Sequence, residues 1–171
     1  MRRLTEHPAP EGENSLWRWA RVVSPFKVVR NFLVIWFCRY CPSLRLKSWL
    51  YRRIGMKVGR RVAPGLMAMF DIFFPELITL EDDAIVGYNA VILCHEFLAR
   101  SWRTGPVRVG ARTVIGANST ILAGVDIGRD AVVGAMSLVS RDVPDGAFVG
   151  GVPARVIGRA GDGVKGDWVK G

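Results

Sequence analysis

Aliphatic residues fall six positions apart at Val109, Ile115, Ile121, Ile127, Val133 and Val139. The fourth position after each is small or β-branched: Thr113, Ser119, Val125, Ala131, Ser137 and Val143. A period of six does not match a helix of 3.6 residues per turn, and the alternating strands of a sandwich need a period of two. It matches short flat strands joined by corners, three to a coil, with the aliphatic and the small residue both pointing inward. Glycine follows the aliphatic at Gly110, Gly116, Gly128 and Gly134, which predicts that glycine relieves the corners. The two exceptions, Leu122 and Ser140, lie eighteen apart, as a coil of three hexapeptides requires. No coil buries its own faces, so each needs a neighbour above and below.

The pattern extends towards the N-terminus in weaker form. Leu80, Val86 and Ile92 keep the spacing, with Ala84 and Ala90 in the small position, and Val58–Gly59 with Val62 reads as an opening repeat. Between Ile92 and Val109 the phase slips by one, so Leu93–Pro106 is expected to leave the coil as a loop and return. Ahead of the repeats lies a different kind of chain. Val22, Phe26, Val29, Phe32, Leu33 and Trp36 recur at three- and four-residue spacings and predict the apolar stripe of a helix. Ser24 and Pro25 suit its start, Pro42 its end, and Leu44–Ile54 a second helix. The division expected is a basic, mostly helical arm over 1–57, a β-helix over 58–158 and a Gly-rich tail over 159–171. Residues 1–13 read as a loose polar end.

Charge sharpens this division. Fourteen of the 24 Lys and Arg, but three of the 15 Asp and Glu, fall within residues 1–61, so the net charge of +9 belongs to the arm. The bland role for the arm is to cap the open end of the coil, whose apolar interior is otherwise exposed. The excess charge adds peripheral attachment to an anionic membrane surface as an expectation. Nucleic acid is disfavoured, because the aromatics are committed to an apolar face. The first thirty residues carry Glu6, Glu11 and Glu13 and no apolar h-region, and three cysteines are an odd number. The expected location is therefore cytoplasmic, peripheral at the inner face of the membrane if the arm binds there.

The run Val133-Gly-Ala-Met-Ser-Leu-Val-Ser-Arg-Asp-Val-Pro144, followed by Gly150-Gly-Val-Pro-Ala-Arg-Val-Ile157, resembles the hexapeptide-repeat acyltransferases. These include galactoside, serine and maltose O-acetyltransferases, and the similarity covers residues 58–158. The arm is similar to that of a subgroup of bacterial proteins with a helical N-terminus. The resemblance implies a left-handed parallel β-helix, an all-β solenoid. It implies a homotrimer with sites between neighbouring prisms, and transfer of an acetyl group from acetyl-CoA to a hydroxyl of a small-molecule or sugar acceptor without a metal. Residue by residue, it implies that Ala117 and Ala135 line the pantetheine slot and that Ser140, Arg141 and Arg155 meet the nucleotide end. One further basic position of the galactoside enzymes falls on Gly158 here, with Arg159 beside it.

A hydroxyl is a poor nucleophile at neutral pH, and a histidine is suited to take its proton as it attacks a thioester. His7 lies in the N-terminal end. His95, in Leu93-Cys-His-Glu-Phe97, opens the predicted loop and matches the family's catalytic position. Its second ring nitrogen needs a partner, for which Glu96, Glu81 or a backbone carbonyl are the candidates. Asn89 either orients the acceptor or is a corner residue in left-handed geometry. Cys94 invites a nucleophile reading, but a buried small apolar residue accounts for it better. Cys38 and Cys41 have metal-like spacing without a second pair. A γ-carbonic anhydrase needs three histidines for its zinc, and the body offers one. A scaffold without catalysis remains the rival, and His95 and the C-terminal motif speak against it.

Overall fold

In the computed structural model, which describes residues 2–9 and 14–161, the inward aliphatic positions become three stacks of short parallel strands. The first face pairs Lys57–Val58, Ile78–Leu80, Val107–Val109 and Asp126–Ile127. The second pairs Ala63–Pro64, Ile85–Val86, Val114–Ile115, Val132–Val133 and Ala147–Gly151, the last turning back antiparallel into Ala154–Arg159. The third pairs Met69–Phe70, Val91–Ile92, Thr120–Ile121 and Leu138–Val139. The chain visits the faces in rotation, so each turn of the coil lays one strand on each stack. Leu80, Val109 and Ile127, then Val86, Ile115 and Val133, then Phe70, Ile92, Ile121 and Val139 form inward rows that are buried throughout. The small positions Thr113, Ser119, Val125, Ala131 and Ser137 are buried beside them.

Within the coil, two details differ from the sequence reading. The sixth repeat is short. Val143, expected in a small position, stands in the aliphatic row opposite Ile127, four residues after Val139 rather than six. The corners are also made differently. The left-handed backbone falls on Arg112, Asn118, Gly124, Asp130 and Met136, not on the glycines that follow the aliphatics. Gly110, Gly116 and Gly128 serve close stacking instead: a Cβ on Gly116 would stand 2.5 Å from the backbone nitrogen of Ala135 in the next coil.

The rhythm of six breaks at Phe70 to Leu80, at Ile92 to Val109 and at Val139 to Val143. All three breaks occupy the same corner, between the third face and the first. The second break is not a plain loop. His95–Phe97 and Ser101–Thr104 form an antiparallel hairpin, and Thr5–Pro8 adds a third strand to it. Residues 2–9 are therefore tied down rather than loose: His7 stacks on Trp102 with centroids 4.0 Å apart, and the Arg3 amide donates to Gly124 O at 2.9 Å.

The arm forms α1 (Trp19–Val22), α2 (Pro25–Tyr40) and α3 (Leu44–Arg53). Ser24 precedes α2 without a side-chain cap, whereas Ser43 Oγ accepts from Leu46 N at the start of α3. The helices cover the open end of the coil. Ile35, Cys38, Tyr51 and Ile54 join the core with Val58, Val62 and Phe70, and the Tyr51 ring meets Phe70 edge-on at 4.9 Å. Lys47 is buried and donates to Pro64 O and Gly65 O at 2.6 and 2.7 Å, satisfying carbonyls of the first coil. The buried stripe of α2 is Val28, Asn31, Ile35 and Cys38. The stripe expected from the sequence points the other way, and Phe26, Val29, Phe32, Leu33 and Trp36 are exposed. Of the Gly-rich tail, residues 162–171 lie outside the described residues.

Candidate active site

Asp71 opens the first break in the rhythm, directly after Phe70, and His95 lies just inside the second, one coil further on. Phe70 and Ile92 are register partners, so the two corners stack and bring these side chains together. His95 Nδ1 lies 2.5 Å from Asp71 Oδ2. The same oxygen accepts from the Cys94 amide at 2.6 Å, and Oδ1 accepts from the Phe73 and Phe74 amides at 2.9 Å each. Burial pushes the Asp71 carboxyl towards its neutral form. The hydrogen bond and charge of His95, with the amides of Phe74 and Cys94, outweigh it and hold the carboxyl below the usual carboxylate range. Asp71 is thus a buried anion with its acceptor capacity filled, which is how a buried charge is tolerated.

The imidazole sits in an aromatic frame. Phe73 and Phe97 approach it at 4.8 Å between centroids and Phe74 at 6.2 Å. Trp102 stacks on Phe74 and on His7, so its ring is already occupied within the chain. Nδ1 is engaged by Asp71, while Nε2 has no hydrogen bond among the described residues. The His95 side chain is 16 % exposed, enough for one edge of the ring to be reached. Such a pairing fixes the tautomer, with the proton on Nδ1 and a lone pair on Nε2.

The partner of His95 is the residue that sequence reasoning missed. Glu96 is taken by Arg2, and Glu81 accepts from Arg108 at 2.8 Å and from the Ala111 amide at 3.0 Å. The signal was present: Asp71 is the only carboxylate between Asn14 and Glu76, and it stands where the hexapeptide spacing first stretches to ten. Cys94 is fully buried, and burial, followed by the charge of Asp71, pushes its thiol far up, which leaves it unsuited to nucleophilic attack.

The other expected positions border the third face. Ala117 and Ala135 share one register position at its leading corner in successive coils, and Asn89 stands one residue further on, level with Asn118 and Met136. Asn89 has left-handed backbone and its side-chain Nδ2 donates to Asn118 Oδ1 at 2.9 Å, so its side chain is spent on the corner ladder in this chain. The Met136 amide donates to Ala117 O at 2.9 Å, and Ala135 is exposed. Ser140 and Arg141 lie at the trailing corner, the corner of Asp71 and His95, but two coils beyond His95. Arg155 is exposed on the final antiparallel strand. None of these shares a hydrogen bond or ring contact with His95. No cluster of three or more potential metal ligands occurs among the described residues.

A family model described as hexapeptide repeat of succinyl-transferase matches residues 106–137. The Bacillus subtilis protein named Putative acetyltransferase YvoF is 51 % identical over 158 residues, covering 92 % of this chain and 91 % of its own. Among solved structures, a galactoside acetyltransferase in complex with coenzyme A superposes with a TM-score of 0.65 at 22 % identity, over 85 % of this chain and 86 % of that one. A hexapeptide-repeat-containing acetyltransferase from Vibrio cholerae gives 0.63 at 19 %, over 80 % and 92 %. The last two establish likeness of fold.

Proposed function

Because the chain belongs to the hexapeptide-repeat acetyltransferases, we propose that it moves an acetyl group from acetyl-CoA to a hydroxyl of a small-molecule or sugar acceptor, with His95 as general base. The observation that carries this reading is the Asp71–His95 pair, with Nδ1 engaged and Nε2 open. In the reaction Nε2 takes the hydroxyl proton as the oxygen attacks the thioester carbonyl. The tetrahedral centre then collapses, the C–S bond breaks, and the imidazolium returns its proton to the departing CoA thiolate. Asp71 holds the tautomer and balances the transient charge on the ring, as a buried carboxylate does for a catalytic histidine elsewhere. Transfer is direct, in keeping with the sealed thiol of Cys94.

Likeness of fold to the galactoside acetyltransferase supports a left-handed coil, and we infer that three such chains assemble as a homotrimer. Within one chain His95 and Ser140–Arg141 stand on one corner of the third face, and Asn89, Ala117 and Ala135 on the other. Packing prism against prism places the leading corner of one protomer beside the trailing corner of its neighbour. On this reading Ala117 and Ala135 line the pantetheine slot, Ser140, Arg141 and Arg155 hold the nucleotide phosphates, and Asn89 meets the acceptor after exchanging its bond to Asn118. Small side chains at 117 and 135 leave the slot open. Three free, buried cysteines suit a reducing compartment, and we place the protein in the cytoplasm.

The test is acetyl-CoA-dependent release of free thiol across a panel of hydroxyl acceptors, comparing wild type with His95→Ala. Loss of the base should lower kcat about 10²–10⁴-fold while acetyl-CoA still binds. Equal rates for the two proteins across the panel would remove the enzymatic reading and leave a scaffold.

A further inference from the structure

We propose that the outer face of α2 is a docking surface for an anionic lipid bilayer. On a helical wheel the buried residues Val28, Asn31, Ile35 and Cys38 occupy one side, and Phe26, Val29, Leu33, Trp36, Phe37 and Tyr40 occupy the opposite side. All six of the latter are exposed, Phe26 at 80 % and Tyr40 at 58 %. The helix is therefore apolar on both sides, and one side has no protein partner within the chain. A soluble monomer seldom leaves so much contiguous aromatic surface in water, and such a patch marks an interaction site. Near Tyr40 the patch deepens into an apolar groove completed by Cys41 and Pro42.

Charge selects the occupant. Residues 14–70 contain no Asp or Glu, and Arg21, Arg30, Arg45 and Arg53 are exposed with no carboxylate partner among the described residues. A second copy of this chain would bring the same cations against themselves, so self-association through this face is opposed by like charge. An anionic bilayer answers both parts of the surface. The aromatic and aliphatic side chains enter the interface, Trp36 and Tyr40 keep their polar ends at headgroup depth, and Arg30, which borders the patch on the same wheel, meets lipid phosphates. The helix lies on the bilayer and does not cross it. Its 16 residues are fewer than the roughly 20 that a span needs, and its inner side is committed to the core, with the Asn31 amide donating to Ile72 O at 2.9 Å.

That hydrogen bond also fixes where the proposed site would be. Ile72 follows Asp71, Lys27 on α2 pairs with Glu76 at 2.7 Å, and Val28 packs against Phe73, which touches His95. Docking would hold His95 roughly one helix diameter, about 10 Å, from the membrane surface.

The experiment is flotation of the full-length protein with vesicles of zwitterionic lipid alone or with anionic phosphatidylglycerol, at low and high salt. The wild type is expected to float with the anionic vesicles at low salt and to remain behind with zwitterionic ones. Leu33→Ser/Trp36→Ser/Phe37→Ser removes exposed groups only, so it should keep the wild-type circular dichroism and melting curve and lose flotation at least tenfold. Replacing Arg30 by Gln should lower partitioning about fivefold. Absence of flotation with every vesicle, or equal flotation by wild type and the triple variant, would overturn the proposal. So would a triple variant whose oligomeric state without lipid is smaller than that of wild type, since the face would then be a contact between copies. None of these readouts depends on catalysis.

Discussion

Asp71 Oδ2 and His95 Nδ1 lie 2.5 Å apart although 24 residues separate them, because each opens an extended corner and the two corners stack in adjacent coils. An amide at 71 can still occupy the space but cannot balance an imidazolium, and it can turn the ring to the unproductive tautomer. Asp71→Asn is therefore expected to lower kcat about 10²–10⁴-fold with little change in KM for acetyl-CoA. A variant that lost affinity instead of turnover would show that Asp71 shapes a binding surface and does not orient a base.

Acid should act on the fold through the same carboxyl. Its pKa in the folded protein lies below the usual 3.8, so its contribution is complete above that value and is lost as pH falls through the folded pKa. The melting temperature of wild type should exceed that of Asp71→Asn at pH 7, and the gap should narrow below about pH 4. Thermal melts of both proteins across pH 3–7 check this, and a constant gap would refute it.

Stacking rather than corner geometry predicts the response of the glycines. A Cβ on Gly116 would meet the Ala135 amide nitrogen at 2.5 Å, backbone that cannot move without shifting a coil, so Gly116→Ala should cost about 1–3 kcal/mol. At Gly134 the nearest atom is 3.4 Å away and Gly134→Ala should be close to neutral. Chemical denaturation of the two variants compares them directly, and equal losses would point to backbone conformation as the cause.

Burial pushes the Cys38 thiol up to about 11 and the Cys94 thiol higher still, and both are inaccessible. In native protein at pH 7.5 neither should react with iodoacetamide on the timescale that labels both in denaturant. Peptide mapping after timed alkylation reads each site, and rapid native labelling of Cys94 would contradict its sealed position.

The coil was legible because period six is imposed by inward-facing geometry at every turn, and Val109 to Val139 carry it without interruption. The helices of the arm were legible for the same reason, but their orientation was not. Both sides of α2 are apolar, and periodicity does not say which of two stripes meets the core. His95 was legible as a lone histidine at a break in phase. Asp71 was hidden because its own break adds only four residues, and because the partnership comes from stacking two corners that no linear pattern connects. The N-terminal strand was missed since Thr5–Pro8 is polar, short and paired with residues about a hundred positions away.

Every departure from the repeat leaves by the corner between the third and first faces, while the strand rows on either side stay in register. That corner works as a socket. Segments of different length can be seated there without disturbing the ladders, and each doubling of loop length adds only about 0.6 kcal/mol of closure entropy. The frame and the chemistry can therefore vary independently. Exchanging the hairpin turn, residues 98–100, between related chains should leave the melting of the coil as before.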